Sequence, residues 1–363
     1  MIRILHVTPD FNYCCGRSKL VYLYLKYFSS HPDYDVHFIT NGGDSLDRLK
    51  DIPELNIQRI NFSTGVKNIL YIIKFYYDLK TYIIKNRIDI IHTHHRFPEM
   101  IAVKLSRKFN LKTVFSTHGY VHGNKKSSFK SDKIIAVSNS INKFLIEHFS
   151  VPRIKIQMLY NPIECLASPE NQLNTRFKEE NQIQPNQKVI LYVGRFHADK
   201  GYDTVIKAFG LISNRRNDFV LIMNGKFENN MKLIKSIKSK DALIFIEPQL
   251  NINYLYQVAD IVVLPSRSDS FPYVMLEAGV YKKPFIGGNT GGIAEFIENG
   301  KNGLLVDPEN PEQLAEKIIY LLNNPDIGKI LGENLYYKVS RLCDYNNYFN
   351  EVEKIYNSLL TPV

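Results

Sequence analysis

The sequence has no run of eighteen apolar residues, so a membrane-spanning helix is not expected. Its first residues lead almost at once into a predicted strand, and we therefore expect no secretory signal and a cytoplasmic protein. Cysteine is scarce, and its spacing is not typical of a metal site; we expect all of these thiols to be reduced: Cys14, Cys15, Cys165 and Cys343. No internal repeat or low-complexity tract is present, which excludes solenoid and fibrous architectures.

Short apolar segments alternate with amphipathic segments along the chain of 363 residues, which is long enough for two domains. This alternation predicts α/β domains in which helices cover parallel sheets. The polar segment 164–188 is predicted to link the two halves and to carry a helix of its own. The predicted strands are 3–7, 35–40, 88–92, 112–117 and 133–137 in the first half, and 189–193, 219–224, 242–246, 261–264 and 284–287 in the second.

The most informative segment is P-S-R-S-D-S-F-P-Y-V-M-L-E, residues 265–277, which places two carboxylates eight residues apart. If the apolar residues before it form a buried strand, Asp269 lies in the loop beyond the strand's carboxyl end. Glu277 then lies about one turn into the following helix. Such loops bind ligands in open parallel sheets, and the first N–H groups of the helix, on Tyr273 and Val274, can bind an anion. One acid of this pair can hold a sugar hydroxyl while the other holds a ribose.

A second segment, V-I-L-Y-V-G-R-F-H-A-D-K-G at residues 189–201, supplies two cations. A predicted strand ends at Gly194, where a ligand can approach the backbone, and Arg195 and Lys200 follow. A guanidinium binds phosphate oxygens with a planar fork and an ammonium binds them as a mobile charge, so the two suit a diphosphate. Alone, this pattern is equally typical of a surface turn. The acidic segment further along the chain favours the ligand site.

These two segments, followed by G-N-T-G-G-I-A-E-F-I and N-G-L-L-V, resemble the family 4 retaining glycosyltransferases of the group 1 type. The first half is similar to the family in H-V-T-P-D, I-I-H-T-H-H, S-T-H-G, A-V-S-N-S and L-Y-N-P-I, which occur in the family's order. The resemblance implies a GT-B fold, in which two Rossmann-like domains with parallel sheets face an interdomain cleft. We expect an acceptor-binding domain at 1–163, a nucleotide-sugar-binding domain at 164–345, and a C-terminal helix at 346–363 that returns to the first domain.

The resemblance implies a hexosyltransferase that moves a sugar from a nucleotide-sugar, by default a UDP-sugar, to a cell-surface glycan or glycolipid. It also implies retention at the anomeric carbon and no metal or other cofactor. By resemblance, Asp269 holds the transferred sugar, Glu277 binds the ribose hydroxyls, and His118 faces the donor sugar. Arg195 and Lys200 would stabilise the charge that grows on the departing diphosphate. The predicted catalytic residues are His118, Arg195, Lys200 and Asp269, and the predicted donor-binding residues are Gly16, Gly194, Arg195, Lys200, Phe271, Tyr273, Val274 and Glu277.

The chain departs from the family's usual pattern in its ligand loops. C-C-G-R-S at residues 14–18 stands where paired glycines are usual, so only Gly16 keeps a flexible position there. Pro272 stands where many relatives have glycine, but we expect the turn to survive because proline readily precedes a helix. Phe271 beside it is expected to pack. Family members commonly have Glu where Asp269 stands, so the identity of the sugar does not follow from the resemblance.

Two other functions stay open. A GT-B nucleotide-sugar epimerase is one, because a fold alone permits other chemistry; the combined basic and acidic segments disfavour it. A non-catalytic binding subunit is the other, because the first loop is altered. A metal site at His92, His94 and His95 is disfavoured, because alternating histidines without neighbouring carboxylates or cysteines make a poor closed site.

Positive charge belongs to the first half of the chain. Residues 1–163 hold 24 Lys and Arg against 12 Asp and Glu, whereas residues 164–363 hold 22 against 24. Such a field attracts nucleic acid, an anionic membrane or an acidic glycan. No nucleic-acid-binding motif is present, and we expect no nucleic-acid partner.

A helix is predicted at residues 66–87. Its pattern narrows the choice among nucleic acid, an anionic membrane and an acidic glycan. One face should pack on the sheet through Ile69, Ile72, Tyr76, Leu79 and Ile83. The opposite face is predicted to carry Lys67, Lys74 and Lys85 beside Tyr71, Phe75 and Tyr82. Lysines among aromatic rings suit the headgroup region of an anionic membrane, whereas an ordinary solvated helix fits the same pattern. The membrane interpretation predicts peripheral binding at the inner face of the plasma membrane.

Overall fold

The structure, a computed structural model, describes residues 1–61, 69–164, 171–226 and 242–361. The chain divides into two compact units. Unit 1 comprises Met1–Asn161 together with Tyr345–Val363, and unit 2 comprises Pro162–Asp344. The last helix of the chain therefore belongs to the same unit as the first strand.

Unit 1 is built on a seven-stranded sheet in the order β3-β2-β1-β4-β5-β6-β7, with every neighbouring pair parallel. Its strands are β1 (Ile2–Val7), β2 (Tyr34–Thr40), β3 (Asn56–Arg59), β4 (Ile90–Thr93), β5 (Lys112–Thr117), β6 (Lys133–Ala136) and β7 (Ile156–Met158). Its described helices are α1 (Gly16–Ser29), α2 (Ile69–Asn86), α3 (Arg96–Phe109), α4 (Asn139–Phe149) and the C-terminal α12 (Tyr345–Leu360).

Unit 2 repeats the plan with a six-stranded parallel sheet in the order β10-β9-β8-β11-β12-β13. Its strands are β8 (Lys188–Val193), β9 (Phe219–Asn224), β10 (Leu243–Ile246), β11 (Ile261–Leu264), β12 (Phe285–Gly288) and β13 (Leu304–Val306). Its described helices are α5 (Asn171–Glu180), α6 (Tyr202–Ser213), α7 (Asn253–Val258), α8 (Tyr273–Val280), α9 (Gly291–Phe296), α10 (Pro311–Asn323) and α11 (Pro325–Leu342).

The strand order reverses once in each sheet, between β1 and β4 in unit 1 and between β8 and β11 in unit 2. The connections on the two sides of such a point leave in opposite directions, which opens a crevice beyond the carboxyl ends of the strands. The predicted α/β class with two Rossmann-like domains is confirmed. Three strands escaped prediction: β3, β7 and β13, each at an edge of its sheet.

Helix α2 corrects one of the predicted faces. Phe75 was predicted beside the lysines, but it is fully buried in the core with Leu79 and Ile83. It lies three residues after Ile72 and four before Leu79, and residues at these spacings share one face of a helix. Tyr82 is half-buried, and its hydroxyl lies 2.8 Å from Nδ1 of His37.

Helix α2 begins at Ile69, so the predicted residues 66–68, with Lys67, lie outside the described residues. No helix in the described part of the chain is both long and apolar enough to cross a membrane.

Candidate active site

The loops that follow β8 and β11 leave the same edge of the unit 2 sheet, because the two strands are parallel neighbours. Their backbones are packed against each other and against the loop after β12. A Cβ on Gly201, whose φ is +68°, would lie 2.1 Å from the carbonyl oxygen of Pro265. A Cβ on Gly292 would lie 1.9 Å from the carbonyl oxygen of Ser270. Glycine is therefore required at both positions for the loops to meet.

The two predicted residues Lys200 and Asp269 form an ion pair across these loops. The Lys200 ammonium lies 2.5 Å from Oδ2 of Asp269, and their side chains are 23% and 6% exposed. The hydroxyl of Ser266 donates to the same carboxylate oxygen at 3.3 Å. The sequence analysis assigned the lysine to a diphosphate and the aspartate to a sugar. In the structure the two side chains are paired with each other.

Arg195 lies in the same loop as Lys200, and its side chain is exposed. Its guanidinium makes no hydrogen bond or ion pair with the described residues. Its carbonyl oxygen accepts a hydrogen bond from the Tyr192 hydroxyl at 3.0 Å, which holds the turn after β8. The preceding Gly194 donates its N–H to the Asn224 carbonyl oxygen at 3.0 Å. Arg195 thus has a fixed backbone and a charge that is available to an anion.

Arg267, which the sequence reasoning missed, ties the two loops together. Its guanidinium donates to both carboxylate oxygens of Asp203 at 2.9 and 2.7 Å, and to Glu309 at 2.8 Å. Its backbone N–H donates to the Asp199 carbonyl oxygen at 2.8 Å. Burial works to raise the pKa of Asp203, but the hydrogen bonds from Arg267 outweigh it and lower that pKa. Arg267 therefore braces the segment that carries Lys200.

Glu277 is half-buried on α8 and is oriented by a tyrosine from α7. The Tyr256 hydroxyl donates a hydrogen bond to Oε2 of Glu277. Burial, together with the nearby Glu277 carboxylate, raises the pKa of Tyr256 well above its ordinary value, so the hydroxyl keeps its proton. No local motif links Tyr256 to a residue twenty-one positions later, and the sequence reasoning missed it.

Helix α8 begins directly after the acidic loop, with Tyr273 and Val274 as its first residues. The N-cap residue Pro272 supplies no side-chain hydrogen bond to the first turn. The Phe271 side chain is 2% exposed and packs edge-to-face on Phe296 at 5.2 Å between ring centroids. If residue 271 contacts the predicted nucleotide-sugar, that contact must therefore come from its backbone.

In unit 1, Gly16 is the first residue of α1 and follows the N-cap residue Cys15, whose side chain makes no capping hydrogen bond. The backbone φ angle of Gly16 is not positive. Arg17 beside it forms an ion pair with Asp10 in the loop after β1. Asp10 therefore neutralises the additional positive charge that Arg17 brings to this segment.

A cluster of buried histidines lies where β1, β4 and β5 meet. His6 on β1 is the cross-strand neighbour of His92 on β4, and ring nitrogens of His6, His92 and His94 all lie within 4.8 Å of one another. His118 follows β5, and its Nε2 lies 3.3 Å from Nδ1 of His94. Burial lowers the pKa of His6 and of His118 to about 3. It lowers the pKa values of His92 and His94 as well, so the cluster is neutral at pH 7.

The clustered histidines differ from His92, His94 and His95, the set that the sequence analysis considered and disfavoured as a metal site. His95 accepts a hydrogen bond from the Phe97 N–H at 3.3 Å as the N-cap of α3, and His6 joins the cluster in its place. His92 uses both ring nitrogens, with Nδ1 at 2.6 Å from the Tyr356 hydroxyl and Nε2 at 2.8 Å from the Ser116 hydroxyl. A metal ion bound to His92 would have to displace one of these partners.

Two further groups support this end of unit 1. Helix α12 contributes Tyr356 to His92 and also Tyr348, whose hydroxyl lies 2.8 Å from that of Tyr24. The fully buried Glu99 carboxylate accepts backbone N–H groups of residues 129, 130 and 131 at 2.9, 2.7 and 3.2 Å. Burial raises the pKa of Glu99, and these hydrogen bonds oppose the increase. Glu99 thereby fixes the far end of the loop that begins at His118.

Two family models match the chain. The model for Glycosyltransferase Family 4 matches residues 19–165, and the model for Glycosyl transferases group 1 matches residues 174–337. An uncharacterized glycosyltransferase of Methanocaldococcus jannaschii is 29% identical over 316 residues, which cover 83% of this chain and 84% of that protein.

The capsular polysaccharide biosynthesis glycosyltransferase CapM of Staphylococcus aureus is 25% identical over 355 residues, 92% of each chain. The crystal structure of Anabaena HepE in complex with UDP-glucose has a TM-score of 0.83 and 15% identity, covering 99% of this chain and 100% of that one. The predicted GT-B fold is confirmed by this likeness.

Proposed function

Because this chain belongs to glycosyltransferase family 4 of the group 1 type, we propose that it transfers a sugar from a UDP-sugar to a cell-surface glycan or glycolipid with retention at the anomeric carbon. The structural neighbour HepE supports the donor, since it was crystallised with UDP-glucose. The relative CapM supports the acceptor class, since its name assigns it to capsular polysaccharide biosynthesis.

The observation that carries the proposal is the ion pair of Lys200 and Asp269, in loops that leave the sheet where the unit 2 strand order reverses. Arg195 belongs to the same loop as Lys200. The bond between the anomeric carbon and the diphosphate breaks as negative charge grows on the departing oxygen. A cation close to that oxygen stabilises the transition state more than the ground state. We assign this role to Arg195, with Lys200 beside it.

The other site residues are assigned by what their surroundings permit. Glu277, held by the Tyr256 hydroxyl, accepts hydrogen bonds from the ribose. The first turn of α8, at Tyr273 and Val274, offers N–H groups to the diphosphate. We assign Asp269 and His118 to the donor sugar. With two cations and a helix start for the diphosphate, we propose that the reaction needs no metal.

A panel of UDP-, GDP- and ADP-sugars tests this proposal. We expect one of them to be slowly hydrolysed by the protein alone, and to be used for transfer when a membrane extract supplies acceptors. Formation of an epimerised nucleotide-sugar would favour the alternative function as an epimerase. A nucleotide that raises the melting temperature without any turnover would favour the binding subunit.

Arg195→Ala should lower kcat more than it changes KM, because its charge complements the transition state. Arg215→Ala is the matched control, because it removes an exposed arginine on the same unit. A higher KM with unchanged kcat would show that Arg195 binds the substrate without stabilising the transition state.

We also propose that the protein is cytoplasmic and binds the inner face of the plasma membrane through α2. A stripe of large apolar side chains runs along the exposed side of this helix: Leu70, Ile73, Tyr77 and Ile84 are 73%, 48%, 58% and 52% exposed. Tyr71 beside them is 45% exposed, and the Lys74 side chain is 65% exposed. Apolar side chains can enter the headgroup boundary while the basic excess of residues 1–163 attracts anionic lipid.

Sedimentation with liposomes tests this surface. We expect more protein to sediment with anionic than with neutral vesicles at low salt, and Leu70→Ser with Ile73→Ser to remove the difference. Ile330→Ser on α11 is the control, since Ile330 is 56% exposed on the other unit. Equal sedimentation with both kinds of vesicle would refute the membrane proposal.

A further inference from the structure

Two buried histidines and the half-buried His118 form one continuous chain of hydrogen bonds. Nδ1 of His6 lies 3.0 Å from Nε2 of His94, and Nδ1 of His94 lies 3.3 Å from Nε2 of His118. His6 and His94 are 0% and 2% exposed. His92 stacks against this chain but is hydrogen-bonded elsewhere, to Tyr356 and Ser116. The chain therefore runs from His6 inside unit 1 to the predicted sugar-facing residue.

A neutral imidazole has one N–H donor and one acceptor nitrogen, so both bonds of the chain must run in the same direction. In one arrangement His6 donates to His94 and His94 donates to Nε2 of His118, which leaves the His118 proton on Nδ1. In the other arrangement every bond is reversed, and His118 carries its proton on Nε2. The tautomer of His118 is thus tied to that of His6.

The inner end of the chain distinguishes the two arrangements. Nε2 of His6 is buried and has no hydrogen-bond partner. It is an unpaired acceptor in the first arrangement and an unpaired N–H in the second. Among buried backbone groups, N–H donors without a partner are rarer than acceptors without one, and we apply the same order to the imidazole nitrogens. The first arrangement is therefore favoured.

We propose that His94 and His6 are positioning residues that hold His118 in the Nδ1–H tautomer. Whatever group meets that nitrogen must then accept a hydrogen bond. The link to catalysis rests on the proposed function: if His118 faces the donor sugar, its Nδ1–H donates to a sugar oxygen. The tautomer itself does not depend on that function.

The two ring nitrogens can be told apart by nitrogen-15 NMR. The full-length protein would be labelled at histidine, and two-bond proton–nitrogen correlations would show which nitrogen of each ring is protonated. The His118 signals are assigned as those lost in His118→Gln. We expect His118 to be protonated at Nδ1 in the unsubstituted protein, and protonation at Nε2 would overturn the proposal.

The chain is then broken at His94. Gln places its amide near the position of Nε2, so His94→Gln keeps the side toward His6 and loses the donor to His118. We expect the two His118 nitrogen shifts to move toward each other, as they do in a tautomer mixture. His122→Gln, at an exposed position in the same unit, should leave them unchanged. Unchanged His118 shifts in His94→Gln would overturn the proposal.

Should His94→Gln fail to fold, His6→Gln perturbs the chain from its far end and is expected to shift the same signals. Kinetics separate the tautomer from its use in catalysis. A changed tautomer with full turnover would uphold the positioning of His118 and count against its role at the donor sugar.

Discussion

Acid should destabilise unit 1 through its buried histidines, and His6 gives the clearest measure. Its side chain is fully buried, and burial lowers its pKa from 6.5 to about 3. The unfolded chain takes up a proton near pH 6.5, whereas the folded chain does so only near pH 3. Between these values the unfolded state binds more protons, so stability is lost as the pH falls.

The size of the effect follows from the width of this window. Below the unfolded pKa, each histidine that stays neutral in the folded state lowers the stability by about 1.4 kcal/mol for each pH unit. Between pH 6.5 and pH 5, His6 alone should therefore cost about 2 kcal/mol. His94 and His118 titrate in the same direction and add to the slope in the unsubstituted protein.

The measurement is urea unfolding, followed by circular dichroism at half-unit steps from pH 7.5 to pH 4.5. His6→Gln removes one titrating group, so its stability should fall less steeply with acid than that of the unsubstituted protein. The loss of the hydrogen bond to His94 lowers its stability at every pH, but that offset does not affect the slope. His122→Gln, at an exposed position in the same unit, is the control substitution. Parallel curves for His6→Gln and the unsubstituted protein would refute the reasoning.

Three further substitutions test other parts of the structure. Glu277→Ala should weaken nucleoside diphosphate binding by about 1.5 to 3 kcal/mol, the range of a charged hydrogen bond; unchanged affinity in calorimetry would contradict its assignment to the ribose. Asp269→Asn should tighten that binding while it lowers turnover, because the Lys200 ammonium loses its paired carboxylate; weaker binding would count against this account. Glu99→Gln should destabilise unit 1 by about 1 to 3 kcal/mol and speed hydrogen exchange at residues 129–131; unaltered exchange there would show that the carboxylate does not hold the loop.

The buried strands were predictable from the sequence because a parallel strand covered on both faces is a continuous apolar run. The predictions for β5, β9 and β11 match the observed bounds. The missed edge strands β3 and β13 lack that signal, although the edge strand β10 was predicted. All four residues of β3 are exposed, and β13 is three residues long, so neither has a run that stands out.

The sequence points to candidate site residues where their chemistry is local in the chain. Arg195 and Lys200 lie five residues apart, and Asp269 and Glu277 eight apart, within short apolar and glycine-rich surroundings. Pairings between distant positions were not predictable from one sequence. Arg267 meets Asp203 across sixty-four residues, and the histidine chain begins eighty-eight residues before His94. These contacts depend on which strands become neighbours.

The Lys200–Asp269 pair bears on how the proposed site would handle its charges through a reaction. Before a ligand binds, the carboxylate neutralises the ammonium, and Arg195 is the cation of that loop with no ion pair among the described residues. A sugar whose hydroxyls occupy Asp269 would leave Lys200 more available to the diphosphate, at the stage when negative charge grows there. Once the sugar has been transferred, the pair can re-form and weaken the hold on the remaining nucleotide. Asp269→Asn removes this competition, which is why we expect it to bind nucleoside diphosphate more tightly and yet turn over more slowly.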